Sequence, residues 1–174
     1  AAIDGISFGS TLDATQIAYF REMTTEALFV ELKTPRTHQE SVDVFRIGHR
    51  EVDASPDGID LSGPMFEGLK LAGMFDRVQA ADPTSMAYQG GLDMVAGYCN
   101  TAMGYVWLTT QTNDRLDQLN AGRNWVRVNL AATEQGLGIH PLSQALQEYP
   151  EMADHYRDIH ARLAPDGGTV QMFG

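Results

Sequence analysis

Cysteine is nearly absent: Cys99 is the single one in 174 residues. An intrachain disulfide and a cysteine-rich zinc site are both excluded. Basic residues are scarce too, with 12 Lys and Arg against 23 Asp and Glu and a formal net charge of -11. Nucleic-acid binding needs clustered Lys and Arg against phosphate, so that class of partner is excluded, and an anionic membrane surface is disfavoured for the same reason. The cations that exist are mostly Arg and are scattered. No apolar run approaches the length of a membrane span. The opening AAIDGISFGS has neither the basic start nor the apolar stretch of a signal peptide. The chain does not begin with Met, and its residues do not distinguish a mature form, a trimmed chain and a fragment. Serine hydrolase chemistry lacks its GxSxG elbow, and GGLDMVAG over 90–97 has neither the spacing nor the preceding strand of a dinucleotide-binding glycine loop.

What is present is ordinary for a globular protein: 43% hydrophobic and 20% charged residues, in a length that suits one domain. Residues 1–12 read as a loosely held, Gly- and Ser-containing entry. Thr11 or Asp13 is placed to cap a helix from about Ala14 to Leu32, which Thr34-Pro35 breaks. Thr37 with Glu40 three residues later reads as a capping box opening a second helix, with Val42, Phe45 and Ile47 as its buried positions. Ser-Pro, Asp-Gly and Gly-Pro fall together in residues 53–64, turn chemistry that suits a mobile loop over a site. A short helix follows at about Met65–Ala72, with Met65, Leu69 and Ala72 on one face. Asp82-Pro83 precedes a helix to about Asn100, in which Gly90, Gly91 and Gly97 signal either close packing or flexibility. Tyr105–Thr110 is β-rich and nearly continuous in apolar character, as in a strand covered on both faces. Pro150 starts a helix to about Leu163, Pro165-Asp-Gly-Gly is a turn, and Thr169–Phe173 is a second strand. This totals two clear strands and about six helices, too few strands for a free-standing sheet.

The chain is organised around Asp117–Gln144. Ala121, Trp125, Val128 and Ala132 share one helical face, and Leu130 and Ala131 widen it. Gly136 suits the left-handed residue after the helix, and Pro141 prevents the helix from resuming. Read without further context, this is a buried core helix with an exit loop.

The phrase AATEQGLGIHPLSQ resembles the AA…GLG…P segment of the nitroreductase superfamily, the FMN-dependent oxidoreductases. YVWLTT, LQEYPEM and VQMFG resemble the putative nitroreductase branch that often carries twin-arginine export signals. The resemblance runs from about Thr25 to Gly174 and to the family's C-terminal half. It implies an α+β fold of helices packed on a small sheet, completed by a missing N-terminal half or by a partner subunit in a homodimer. It implies hydride transfer from NAD(P)H through FMN to a nitro, quinone or similar small-molecule acceptor. It places His140, Pro141, Leu142, Ser143 and Gln144 at the flavin edge, where main-chain donors, the Ser143 hydroxyl and the Gln144 amide would meet the ring. The family's Arg-Arg-Ser or Arg-Ser phosphate motif does not occur in this chain. Two other readings stand beside it: a non-catalytic flavin-storage module and a helical interaction domain. The compartment is open between cytoplasm and periplasm.

Other candidates are weaker. His155 and His160 are five apart, the wrong spacing for a helical metal pair, and no metal is assigned to Glu151 and His155. Cys99 reads as a buried inert thiol. Tyr105, Trp107 and Trp125 read as core before they read as a flavin bed. Arg123 and Arg127, four apart, read as an exposed pair facing Asp117 or Glu134 before they read as a phosphate clamp.

Overall fold

The computed structural model describes residues 5–174. The chain divides into two compact units. The first combines the residues up to Leu28 with Cys99–Gly174, and the second is Phe29–Tyr98.

The first unit is built on an antiparallel sheet ordered β1-β4-β5, from β1 (Ser7–Thr11), β4 (Tyr105–Thr110) and β5 (Thr169–Phe173). Its register sets Gly9 opposite Trp107, and a Cβ at Gly9 would lie 2.2 Å from the indole, so only glycine fits beneath that ring. Alternation along β4 sends Tyr105 and Trp107 to one face and Val106 and Leu108 to the other. On the first face, Phe20 of α1 (Ala14–Lys33) meets Tyr105 and Phe173, with ring centroids 5.2 and 5.1 Å away. On the other, α7 (Arg115–Glu134) lays Ala121 and Trp125 against Leu108 and Ile6, with Val128, Ile139 and Met172 around them. The expected two-sided burial of β4 is therefore realised. The helix α8 (Ala153–Leu163) joins α1 on the first face, where Arg162 stacks over Tyr19 at 3.7 Å.

Two expectations change here, and the choice of cap for α1 is decided. The expected loose entry contains β1, because Ser7–Thr11 pairs antiparallel with β4, with Ile6 and Thr11 buried at its two ends. Leu130 does not widen the buried face of α7: it is 65% exposed. Helical spacing places it with Leu116, Leu119 and Val126 on a second, outward stripe. The N-cap of α1 is Asp13, whose carboxylate accepts from Gln16 N–H at 2.9 Å, while Thr11 bonds Asp13 N–H instead.

The second unit takes in the end of α1 from Phe29 and continues with α2 (Pro35–Asp43). Pro35 occupies its first turn with φ pre-set, so the helix opens before Thr37, and the expected capping box does not form. The Thr37 hydroxyl donates to Glu31 and Thr34 carbonyls instead. The expected long second helix is cut at Val44, where β2 (Phe45–Ile47) pairs in parallel with β3 (Ile59–Leu61) across α3 (His49–Ala54). Residues 53–64 therefore include a strand. Gly58, at φ 76, turns within contact of the Val44 carbonyl and sets up the Ile59 N–H to Val44 bond of 2.9 Å. The remaining helices are α4 (Pro64–Leu71), α5 (Arg77–Ala81) and α6 (Met86–Thr101), the last carrying the chain back to the first unit. Val42, Ile47, Leu61, Phe75 and Ala80 form the unit's core. Met65 and Ala72, placed with Leu69 on one helical face, are exposed, and Leu69 is half-buried. Glu51 of α3 ties the unit together: it accepts from Ile47 N–H at 3.0 Å, Lys70 at 2.8 Å and Arg77 at 2.6 Å.

Candidate functional site

The exit from α7 is shaped by the glycine expected there. Gly136 has φ 73, its N–H reaches Thr133 at 3.0 Å, and Leu137 N–H reaches back to Ala132 at 2.9 Å. These paired bonds close the helix end and turn the chain toward residues 139–144. Ile139 returns to the core beside Trp125. The chain then crosses the end of β5. Leu142 N–H bonds the Phe173 carbonyl at 2.9 Å, and Gly174 exchanges bonds of 2.8 and 3.1 Å with Val106. A Cβ built on Gly174 would lie 2.8 Å from the His140 carbonyl and 3.2 Å from both Pro141 Cα and the Trp125 ring. The loop is thus held between the last residue of the sheet and the aromatic of α7.

The five expected site residues share this corner but do not play equal parts. His140 and Pro141 are exposed, whereas Leu142 is buried in the core. Leu142 N–H, the first main-chain donor after Pro141, is already engaged by β5. Ser143 and Gln144 are half-buried and lead into a 3-10 turn, Gln144–Leu146, closed by Leu146 N–H to Ser143 at 3.0 Å. The Ser143 hydroxyl makes no capping bond. The Gln144 Oε1 is buried and without a hydrogen-bond partner, and so is that of Gln147 in the same turn. A buried unsatisfied carbonyl of this kind costs about 1–3 kcal/mol. Gln147 was not singled out from sequence: it lies within the LQEYPEM motif, but nothing in its spacing marked it.

The remaining candidates fall into structural roles. Tyr105 and Trp125 are buried core, and Trp107 packs over Gly9. Arg123 is exposed, and Arg127 bonds Asn124 Oδ1 at 3.2 Å. His160 stacks on Tyr156 at 4.1 Å and bonds the Tyr156 carbonyl at 2.8 Å through Nδ1. Among the described residues, no three His, Cys, Asp or Glu side chains are grouped as metal ligands. Cys99 is fully buried, and its burial pushes the thiol above its usual range against weaker bonds from Thr24 and Thr25. No helix among the described residues is long and apolar enough to cross a membrane.

Comparison of the chain with family models, with curated proteins and with solved structures finds no match.

Proposed function

We propose that the chain is a nitroreductase-like flavoprotein subunit, in which the Ser143–Gln144 corner receives the pyrimidine edge of FMN. The observation that carries this reading is the chemistry of that corner. It offers an unengaged Ser143 hydroxyl beside a buried, partnerless Gln144 carbonyl. The pyrimidine edge of a flavin presents the complementary set, carbonyl acceptors flanking an N–H donor. The likeness of AATEQGLGIHPLSQ to the family's flavin loop adds to it. The residues fit the ring edge. A phosphate clamp is not among them, so in this reading the phosphate is held by residues outside the loop.

When bound, FMN supplies two-electron transfer between NAD(P)H and a nitro or quinone acceptor. The chain's own part is positional. Leu142 and Trp125 fix the loop to the sheet, and at the ring edge the Ser143 hydroxyl would donate and the Gln144 carbonyl would accept. No acid–base triad is required of these residues.

A homodimer belongs to the same reading. The outward stripe of α7, Leu116, Leu119, Val126 and Leu130, is more than half exposed along its length. Its spacing of three, seven and four is that of a helix–helix seam.

The test is a titration of FMN into the protein, followed by flavin fluorescence. Saturable quenching is expected. Ser143→Ala and Gln144→Leu are each expected to weaken it about tenfold, the worth of one hydrogen bond to a desolvated partner. Oxidation of NADPH with menadione by the loaded protein distinguishes the reductase from a storage module. A chain that takes up no FMN overturns the reading.

A further inference from the structure

The second unit contains a cavity of about 420 Å³ that owes nothing to the flavin reading. All its walls come from Leu32–Val95, within that unit. Its size falls within the range of small-molecule sites, about 300–1,000 Å³. No Asp, Glu, Lys or Arg lines it.

Two polar side chains do, and both have committed their hydrogens. Tyr88 donates its hydroxyl hydrogen to the Leu32 carbonyl at 2.9 Å. His38 Nε2 lies 2.9 Å from the Ala80 carbonyl, which can only accept. Nε2 therefore carries a hydrogen, and Nδ1, an acceptor whenever the ring is neutral, is buried and without a hydrogen-bond partner. The wall thus offers hydrocarbon and lone pairs but no free donor and no cation. A carboxylate or phosphate brought here would lose its water with nothing in exchange.

The floor of the cavity is stranger than its walls. Gly90 and Gly91 sit together inside α6 and line the cavity. Each glycine in a helix interior costs about 1 kcal/mol relative to Ala. Helices usually accept that cost where another backbone must come close. Here a Cβ at either position would meet nothing within 4 Å. None of the described residues uses the room the two glycines leave. Met65, Met86 and Met94, 60%, 82% and 48% exposed, border the same space. Their flexible thioethers adapt to a ligand and favour contact with aromatic rings.

We propose that this cavity is a binding site for an uncharged, flat aromatic molecule, which lies on Gly90–Gly91 beneath the methionines. A hydroxyl is the polar group it tolerates, because the wall can only accept. The site is independent of FMN, which carries a phosphate and which the reading above assigns to the other unit.

The experiment uses N-phenyl-1-naphthylamine, an uncharged aromatic probe that fluoresces out of water, with no flavin present. Saturable binding is expected, displaced by 2-naphthol and at least about tenfold less well by 2-naphthoate. Gly91→Leu fills the floor and is expected to abolish binding, with Gly91→Ala intermediate. Both should melt at or above the wild-type temperature, since each replaces a helix-interior glycine. That melting readout separates a blocked site from a misfolded unit. Should Gly91→Leu melt lower, Gly91→Ala alone decides, and it must weaken the probe. The proposal is overturned if the glycine variants bind the probe as the wild type does, or if 2-naphthoate competes as well as 2-naphthol. Absence of saturable binding, or probe binding that strengthens on dilution of the protein (the mark of a second copy seated there), overturns it equally.

Discussion

Leu142 gives its main-chain N–H to the Phe173 carbonyl at 2.9 Å, so the loop leaving α7 is stitched to the end of the last strand. Its side chain is 6% exposed, whereas that of its neighbour Pro141 faces solvent. The anchoring therefore rests on one residue of the pair. Leu142→Ala is expected to cost about 2–4 kcal/mol through lost burial and a residual cavity. Pro141→Ala should stay within about 0.5 kcal/mol. Urea unfolding of both variants checks this, and equal costs would show that the loop is not held by Leu142.

Gly136 and Gly138 make a second contrast within three residues. Neither has a neighbour within 4 Å of a built Cβ, so neither is needed for space. Only Gly136 has positive φ, at 73. Gly136→Ala should destabilise by about 1 kcal/mol, the cost of a Cβ in the left-handed region. Gly138→Ala should be neutral or slightly stabilising, because it restricts the unfolded chain. If the two variants unfold alike, the helix end does not depend on that conformation.

These two glycines also show what the sequence disclosed. A glycine after a long apolar period identifies a helix end by local chemistry alone, and the helix does end at Glu134. Tyr105–Thr110 and Thr169–Phe173 were equally legible, because continuous β-branched and aromatic runs leave little choice of period. The strands that escaped notice, β1, β2 and β3, are only three to five residues long, too short for a two-residue period to stand out. Phe45–Ile47 alternates over one period only; it is a strand because Ile59–Leu61 lies beside it. At the site, the glycine exit and Pro141 located the loop, but the division of labour within it depends on Phe173, far along the chain from Leu142. The cavity was hidden for a different reason. Glycines in a helix promise close packing or flexibility, and only the fold shows that the room they leave is empty.

The two faces of α7 predict different consequences for substitution. Ala121 and Trp125 are buried against the sheet, whereas Val126 and Leu130 are 57% and 65% exposed. The double variant Val126→Glu, Leu130→Glu should leave the helical circular dichroism of the subunit unchanged, since the sites contribute no core. It should convert a dimer into a monomer by sedimentation, because it sets like charges into the seam. A wild-type chain that sediments as a monomer would remove the homodimer from the functional reading.

Glu51 gives the second unit a dependence on acid. Its bond from Lys70, then those from Ile47 N–H and Arg77, hold its carboxyl down from 4.5 to about 2, with burial opposing weakly. A carboxyl whose folded value is depressed stabilises the folded state fully above its unfolded value. That contribution is lost as pH falls through the window from 4.5 toward about 2. Glu51→Gln keeps the shape and one acceptor but removes the charge that Lys70 and Arg77 share. Both cations are more than two-fifths exposed, so solvent screens the pairs, and the expected loss at neutral pH is about 1 kcal/mol. The difference between wild type and variant should shrink as pH falls below 4.5 and nearly vanish toward 2. Taking that difference removes the similar but separate effects of Asp57 and Asp82, whose carboxyls are lowered by Ser55 and by Thr84 respectively. Urea unfolding at a series of pH values measures it. A gap between the two proteins that stays constant down to the acid limit would mean that Glu51 acts through its shape rather than its charge.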